Sequence, residues 1–192
     1  MISPASARLA GRLAYVAAAA TLLGFITLMI FFAGVEPFGP LNDILSVVLS
    51  VVTIPLVLAL HALHRSHSPA VSVLALVVGI FGLLLTTVVQ SLLIVGVIPF
   101  AVAGVRSTAG FSLFGASLAV YCALSLLKKV LPQRLAVFGV VAGLGYALLI
   151  VGFCLGGPTH PLTAISGLLA LVFFTLWTIG FGRQLLAGKL SS

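Results

Sequence analysis

Acidic residues are nearly missing from this sequence: Asp and Glu occur twice in 192 residues, against nine Lys and Arg, and charged residues make up 6% of the chain. So few charges cannot solvate the surface of a water-soluble globule, in which about a quarter of residues are charged. Disorder is excluded on related grounds. A disordered chain needs low hydrophobicity and high charge, whereas 62% of this one is hydrophobic and its mean hydropathy is +1.39. Paired carboxylates and phosphate-binding loops are missing too, which leaves hydrolase or kinase chemistry of the soluble type without residues to run on. The two cysteines, Cys122 and Cys154, fall toward opposite ends of two apolar runs and read as small packing residues, not as a disulfide. The net charge of +7 does not point to nucleic acid, because Lys and Arg stand singly or in pairs and line no face that tracks phosphates.

Long uncharged apolar runs are what the chain has in quantity. A hydrocarbon core of about 30 Å needs about 20 helical residues, and six runs of that length occur: about Leu13 to Val35, Leu41 to Leu60, Pro69 to Ile98, Ser107 to Leu127, Leu135 to Leu155 and Pro161 to Gly182. None alternates polar with apolar, so the chain is predicted to be all-α, a single six-helix transmembrane domain over residues 1–192. Ser68 before Pro69 and His160 before Pro161 read as helix starts, Ser107 and Thr108 as caps for the fourth helix, and Gly39-Pro40 and Gly156-Gly157-Pro158 as tight connections. The segment from Pro99 to Val105 reads either as an interfacial loop or as an extension of the third helix. The first run is too long for a secretory signal and has no small-x-small cleavage site at Phe31-Phe32-Ala33.

Positive charge orients the bundle. Arg8, Arg12, Arg65, Lys128, Lys129, Arg134, Arg183 and Lys189 fall on one side of six alternating spans, whereas Arg106, Glu36 and Asp43 fall on the other. Both termini are therefore expected in the cytoplasm. Short loops leave no room for a soluble domain on either face.

A shift of 122 positions lays Arg12-Leu13-Ala14 on Arg134-Leu135-Ala136 and Gly34 on Gly156. The first two helices thus read as a parallel hairpin repeat of the last two, with chance agreement between apolar sequences as the alternative. Ala10, Ala14 and Ala18, and likewise Gly139, Gly143 and Ala147, recur four apart and read as close helix contact faces. Pro55 frees the carbonyl of Val51 and should bend the second helix, with Thr53 as a candidate partner for that carbonyl.

Asp43, Ser46, Ser50 and Thr53 share one arc of the second helix, with Asn42 beside them. Thr86 and Gln90 on the third helix, and Thr163 and Ser166 below His160 on the sixth, could face the same space. Such a stripe either lines a cavity or glues helices through bonds to preceding-turn carbonyls. An amide such as Gln90 costs free energy in hydrocarbon unless it meets protein or water. Asp43 also reads more simply, as a wet residue in the first turn of its helix complementing the dipole. His61, His64 and His67 have no acid or cysteine on their side to complete a metal sphere, and His160 lies at the opposite surface, so they read as an interfacial basic loop touching anionic lipid. Gly115-Ala116-Ser117 invites comparison with rhomboid proteases, but Leu118 stands where their motif has glycine and His160 is about half a membrane away from Ser117.

The run Pro37-Phe38-Gly39-Pro40-Leu41-Asn42-Asp43, with Ala142-Gly143-Leu144-Gly145-Tyr146 and Leu155-Gly156-Gly157-Pro158, resembles bacterial multi-pass membrane proteins grouped as domains of unknown function. That resemblance implies a bacterial plasma membrane and supplies no activity, cofactor or site residue. In size, helix number and small residues four apart on the first helix, the chain also looks like substrate-binding subunits of energy-coupling vitamin transporters, a likeness of shape. The leading expectation is a non-enzymatic accessory bundle without cofactor, partnered by the lipid bilayer and by other membrane proteins or further copies of itself. The alternative is a binder or transporter of a small, largely apolar solute in an outward-facing cavity between the second, third and sixth helices, with Asn42, Asp43, Ser46, Ser50, Gln90 and His160 as polar contacts.

Overall fold

Ser3 starts the first helix: its hydroxyl accepts from the backbone N–H of Ser6 at 3.1 Å, and Pro4 takes the first helical position, where no N–H is needed. In the computed structural model, which describes residues 3–190, six helices follow in order: α1 (Pro4–Phe32), α2 (Phe38–His64), α3 (Pro69–Ile94), α4 (Phe100–Lys128), α5 (Gln133–Gly156) and α6 (Pro161–Leu186). A short 3₁₀ turn, Gly157–Thr159, joins α5 to α6. The shortest helix has 24 residues, about 36 Å at 1.5 Å per residue, enough to cross a bilayer.

The helices pack as a closed up-and-down ring, each against its chain neighbours and α1 against α6. The face carrying both described chain ends also carries the α2–α3 and α4–α5 loops and is called the terminal face below. Large apolar side chains such as Leu74, Phe81, Val88, Leu144 and Leu176 point outward around the ring. Exposed to water they would be untenable as a continuous belt, so they imply lipid around the protein. This is an all-α, multi-pass membrane protein.

Glycine sets the spacing on the α3–α6 arc and where α6 meets α1. A side chain at Gly143 of α5 would press into Ala119 N at 2.5 Å and Gly115 O at 2.6 Å on α4. Gly82 and Gly110 make the same approach between α3 and α4, and Gly11 and Gly182 between α1 and α6. The stripes Ala10, Ala14, Ala18 and Gly139, Gly143, Ala147 are thus contact faces within the chain, the first buried toward α6 and the second against α4 and α6.

Several boundaries differ from the sequence expectation. The segment from Pro99 to Val105 is neither an interfacial loop nor an extension of α3. Gly96, with φ of 74°, ends α3, Pro99 is extended, and α4 begins at Phe100. Ser107 and Thr108 consequently lie inside α4 and cap nothing. Gly39 and Pro40 fall in the first turn of α2 instead of a connection, because that helix starts at Phe38. Ser68 occupies the start of α3 without a capping bond from its side chain, whereas His160 does cap α6 through Nδ1, which accepts from Leu162 N at 3.2 Å. Pro55 sits inside α2 and does not interrupt it, and Thr53 donates to Leu49 O at 2.6 Å, not to Val51. Cys122 is buried beneath Gly139 and Trp177, while Cys154 is exposed on α5, so only the first is a packing residue.

The terminal half of the ring is filled. Trp177 and Phe181 stack at 4.9 Å, Phe174 stacks on Trp177 at 5.9 Å, and Phe114 and Tyr146 meet Phe174 edge-on. His64 corrects its reading as part of a lipid-touching loop. It is fully buried, with Nδ1 2.7 Å from Leu60 O and Nε2 2.7 Å from Ser125 Oγ, and its ring tilts against Tyr121. Here α2 reaches across to α4 and pinches the ring shut.

Candidate functional site

Away from the terminal face the interior of the ring is not filled by side chains. A cavity of about 600 Å³ lies within it, lined by all six helices. Its floor is made by Leu49, Ala170 and Tyr146, which stand on the aromatic column of the terminal half. An adjoining recess of about 250 Å³ shares Asn42, Asp43, Leu93 and Phe100 with it and runs to Gly39 and Pro40 at the start of α2. Small residues make the room: Gly24, Gly104 and Gly167 face the cavity, and a side chain on any of them would meet nothing closer than 3.7 Å.

The lining is mostly apolar and aromatic, with a few polar groups whose bonding separates them into two kinds. Some are satisfied by their own helix. Thr21 donates to Ala17 O at 2.8 Å, Thr108 to Gly104 O at 2.7 Å, and Thr163 to Gly157 O at 2.9 Å across the 3₁₀ turn. These hydroxyls are committed to backbone carbonyls and offer little to a ligand. Others have no partner. Gln90 is 8% exposed and its Oε1 is buried without a hydrogen bond, as is the Oγ of Ser107. Asp43 as a residue is 9% exposed; its carboxylate oxygens open onto the cavity, and no hydrogen bond or ion pair reaches them among the described residues. Buried polar groups are nearly always bonded, so a set of orphans on one cavity wall needs an explanation.

Of the residues expected from sequence, the structure brings Asn42, Asp43, Ser46 and Gln90 to this cavity. Asp43 is not in the first turn of its helix, which begins at Phe38, five residues before it; it lines the cavity instead. Ser50 does not line the cavity. It lies one turn deeper and donates to Ser46 O at 2.8 Å. His160 does not line it either, because its ring is committed to the α6 cap. Thr86 spends its hydroxyl on Gly82 O and Ser107 O at the α3–α4 seam, and Ser166 is buried toward α5.

Sequence reading missed the participation of α1, α4 and α5. Phe25, Phe32, Phe100, Phe111, Tyr146 and Phe153 supply the aromatic walls, and Ser107 an additional polar group. Ser107 had a signal that was read differently: a serine one residue after Arg106 resembles a cap until α4 is known to start at Phe100. Ser117, set beside the rhomboid nucleophile, donates to Ala75 O at 2.6 Å and holds α4 to α3. His61 pairs with Ser72 at 2.9 Å, and among the described residues no cluster of His, Cys, Asp and Glu gathers to hold a metal. The chain matches no family model, and no curated protein and no solved structure matches it either, so the reading of this cavity rests on its geometry.

Proposed function

We propose that this protein binds a small, largely apolar solute in the cavity between its six helices. One observation carries the reading: a space of about 600 Å³ is walled by apolar and aromatic side chains, while Asp43 and the Oε1 of Gln90 reach it without partners. Ligand sites have this make-up, an apolar body with a few convergent polar groups that orient the guest. Helix packing alone would have filled the space, or replaced the polar residues by Leu or Val.

The same geometry weighs against the accessory-bundle reading. That reading drew on the small-residue faces, and those faces are used inside the ring by Gly11 with Gly182 and by Gly143 with Gly115. On the positive-inside argument the terminal face, which carries Arg8, Arg12, Arg65, Lys128, Lys129, Arg134, Arg183 and Lys189, is cytoplasmic. The cavity then faces outward, closed toward the cytoplasm by the His64–Ser125 contact and the aromatic column. The proposal is of binding without chemistry, since among the described residues Asp43 stands without a second acid or base along the cavity wall.

Native mass spectrometry of the full chain in mild detergent tests this. Wild-type protein should carry an adduct of small-molecule mass that is absent in Gly167→Phe, whose new ring would fill the cavity from α6. Identical, adduct-free spectra for the two proteins would overturn the reading.

A further inference from the structure

We infer that the solute is a protonated amine carried on an apolar, ring-bearing body, with Asp43 as its counter-ion. The inference rests on the solute-binding reading above and adds the chemical class of the guest. Among the described residues, Asp43 is the only charged side chain lining the cavity. Arg106, the one Lys or Arg toward that end among the described residues, is exposed on α4 and does not line the space, and the other Lys and Arg lie toward the terminal face. A carboxylate that opens onto a mostly apolar cavity without a partner is poorly matched there, and an ammonium group brought by a ligand meets it with a charge-assisted hydrogen bond.

The remaining polar groups agree with a donor-rich guest. Gln90 Oε1 is an unpartnered acceptor, and Asn42 stands beside Asp43 at the start of α2. An ammonium carries several N–H donors and no acceptor, so one such group can serve more than one of these oxygens. Around them Phe25, Phe32, Phe100, Phe111, Tyr146 and Phe153 line the space with aromatic rings, which suit an apolar body and are compatible with a cation. An anionic guest would meet the Asp43 charge with no cation to balance it. A neutral guest would leave that carboxylate unpaired.

Three fluorescent probes of one shape separate the cases: 9-(methylaminomethyl)anthracene, 9-anthracenemethanol and 9-anthracenecarboxylate, titrated into the detergent-purified full chain. The amine should bind at least tenfold more tightly than the alcohol, and the carboxylate most weakly. In Asp43→Asn the preference for the amine should vanish while alcohol binding stays within threefold of wild type. Should that variant fail to fold, the wild-type ranking decides. Equal binding of amine and alcohol, lost in Gly167→Phe, would overturn the amine inference and leave solute binding standing. If none of the probes binds above a detergent blank, both fall together.

Discussion

His64 Nε2 and Ser125 Oγ lie 2.7 Å apart, 61 residues apart in sequence, and join α2 to α4 across the ring. No other side-chain pair bonds these two helices among the described residues. Ser125→Ala removes the hydroxyl and leaves an imidazole nitrogen buried without a partner. A loss of about 1–3 kcal/mol is expected, read from unfolding in mixed detergent micelles. Restoration of full stability by a second change, His64→Leu, would show that the orphaned nitrogen and not the lost packing carries the cost. A Ser125→Ala protein as stable as wild type would contradict the buried bridge.

Gly143 and Gly167 should respond oppositely to alanine. At Gly143 the new methyl group would sit 2.5 Å from Ala119 N and 2.6 Å from Gly115 O, both backbone atoms. Only a separation of α4 from α5 relieves that contact, at an expected loss of about 1–3 kcal/mol. At Gly167 the methyl group would meet Leu149 at 3.8 Å and face the cavity. Gly167→Ala should be neutral or stabilising by about 0.5–1 kcal/mol, the helix propensity difference. Unfolding midpoints of the two variants check the contrast directly.

Gln90 should show stability and binding in opposition. Its Oε1 is buried without a partner, so Gln90→Leu removes an unmet polar group and is expected to stabilise by about 1 kcal/mol. The same change removes an acceptor for the guest and should weaken probe binding by about tenfold, a loss of about 1.4 kcal/mol. A variant both less stable and equally good at binding would show that Gln90 serves packing alone.

Orientation is testable from either face. In a background lacking Cys122 and Cys154, cysteine placed at Glu36 in the exposed α1–α2 loop should react with a membrane-impermeant maleimide on intact cells. Cysteine at Ser66, exposed in the α2–α3 loop, should react only after the membrane is opened. The reverse pattern would place the cavity toward the cytoplasm and invert the topology argued from charge.

The length and uniform apolarity of the runs were enough to establish helices, their number and their alternation, because a bilayer admits no other way to satisfy backbone groups along such segments. The small-residue stripes were legible as contact faces for the same reason: only Gly and Ala let backbones approach as α4 and α5 do. Asn42, Asp43, Ser46 and Gln90 were legible as candidates because polar side chains are costly in hydrocarbon wherever they point. Whether they line a space or glue helices was not a property of their spacing. That was decided by the ring, in which α1, α4 and α5 join the facing wall and α6, with Phe114 and Tyr146, builds the aromatic column beneath it, and by which hydroxyls had already spent themselves on their own helices. Ser50 and His160 dropped out on this ground, each held by a local bond. His64 moved the other way, from presumed lipid contact to buried bridge, since the position of Ser125 opposite it exists only once α2 crosses toward α4. Local pattern decides what a helix must hide; which helices surround it decides what that hidden face becomes.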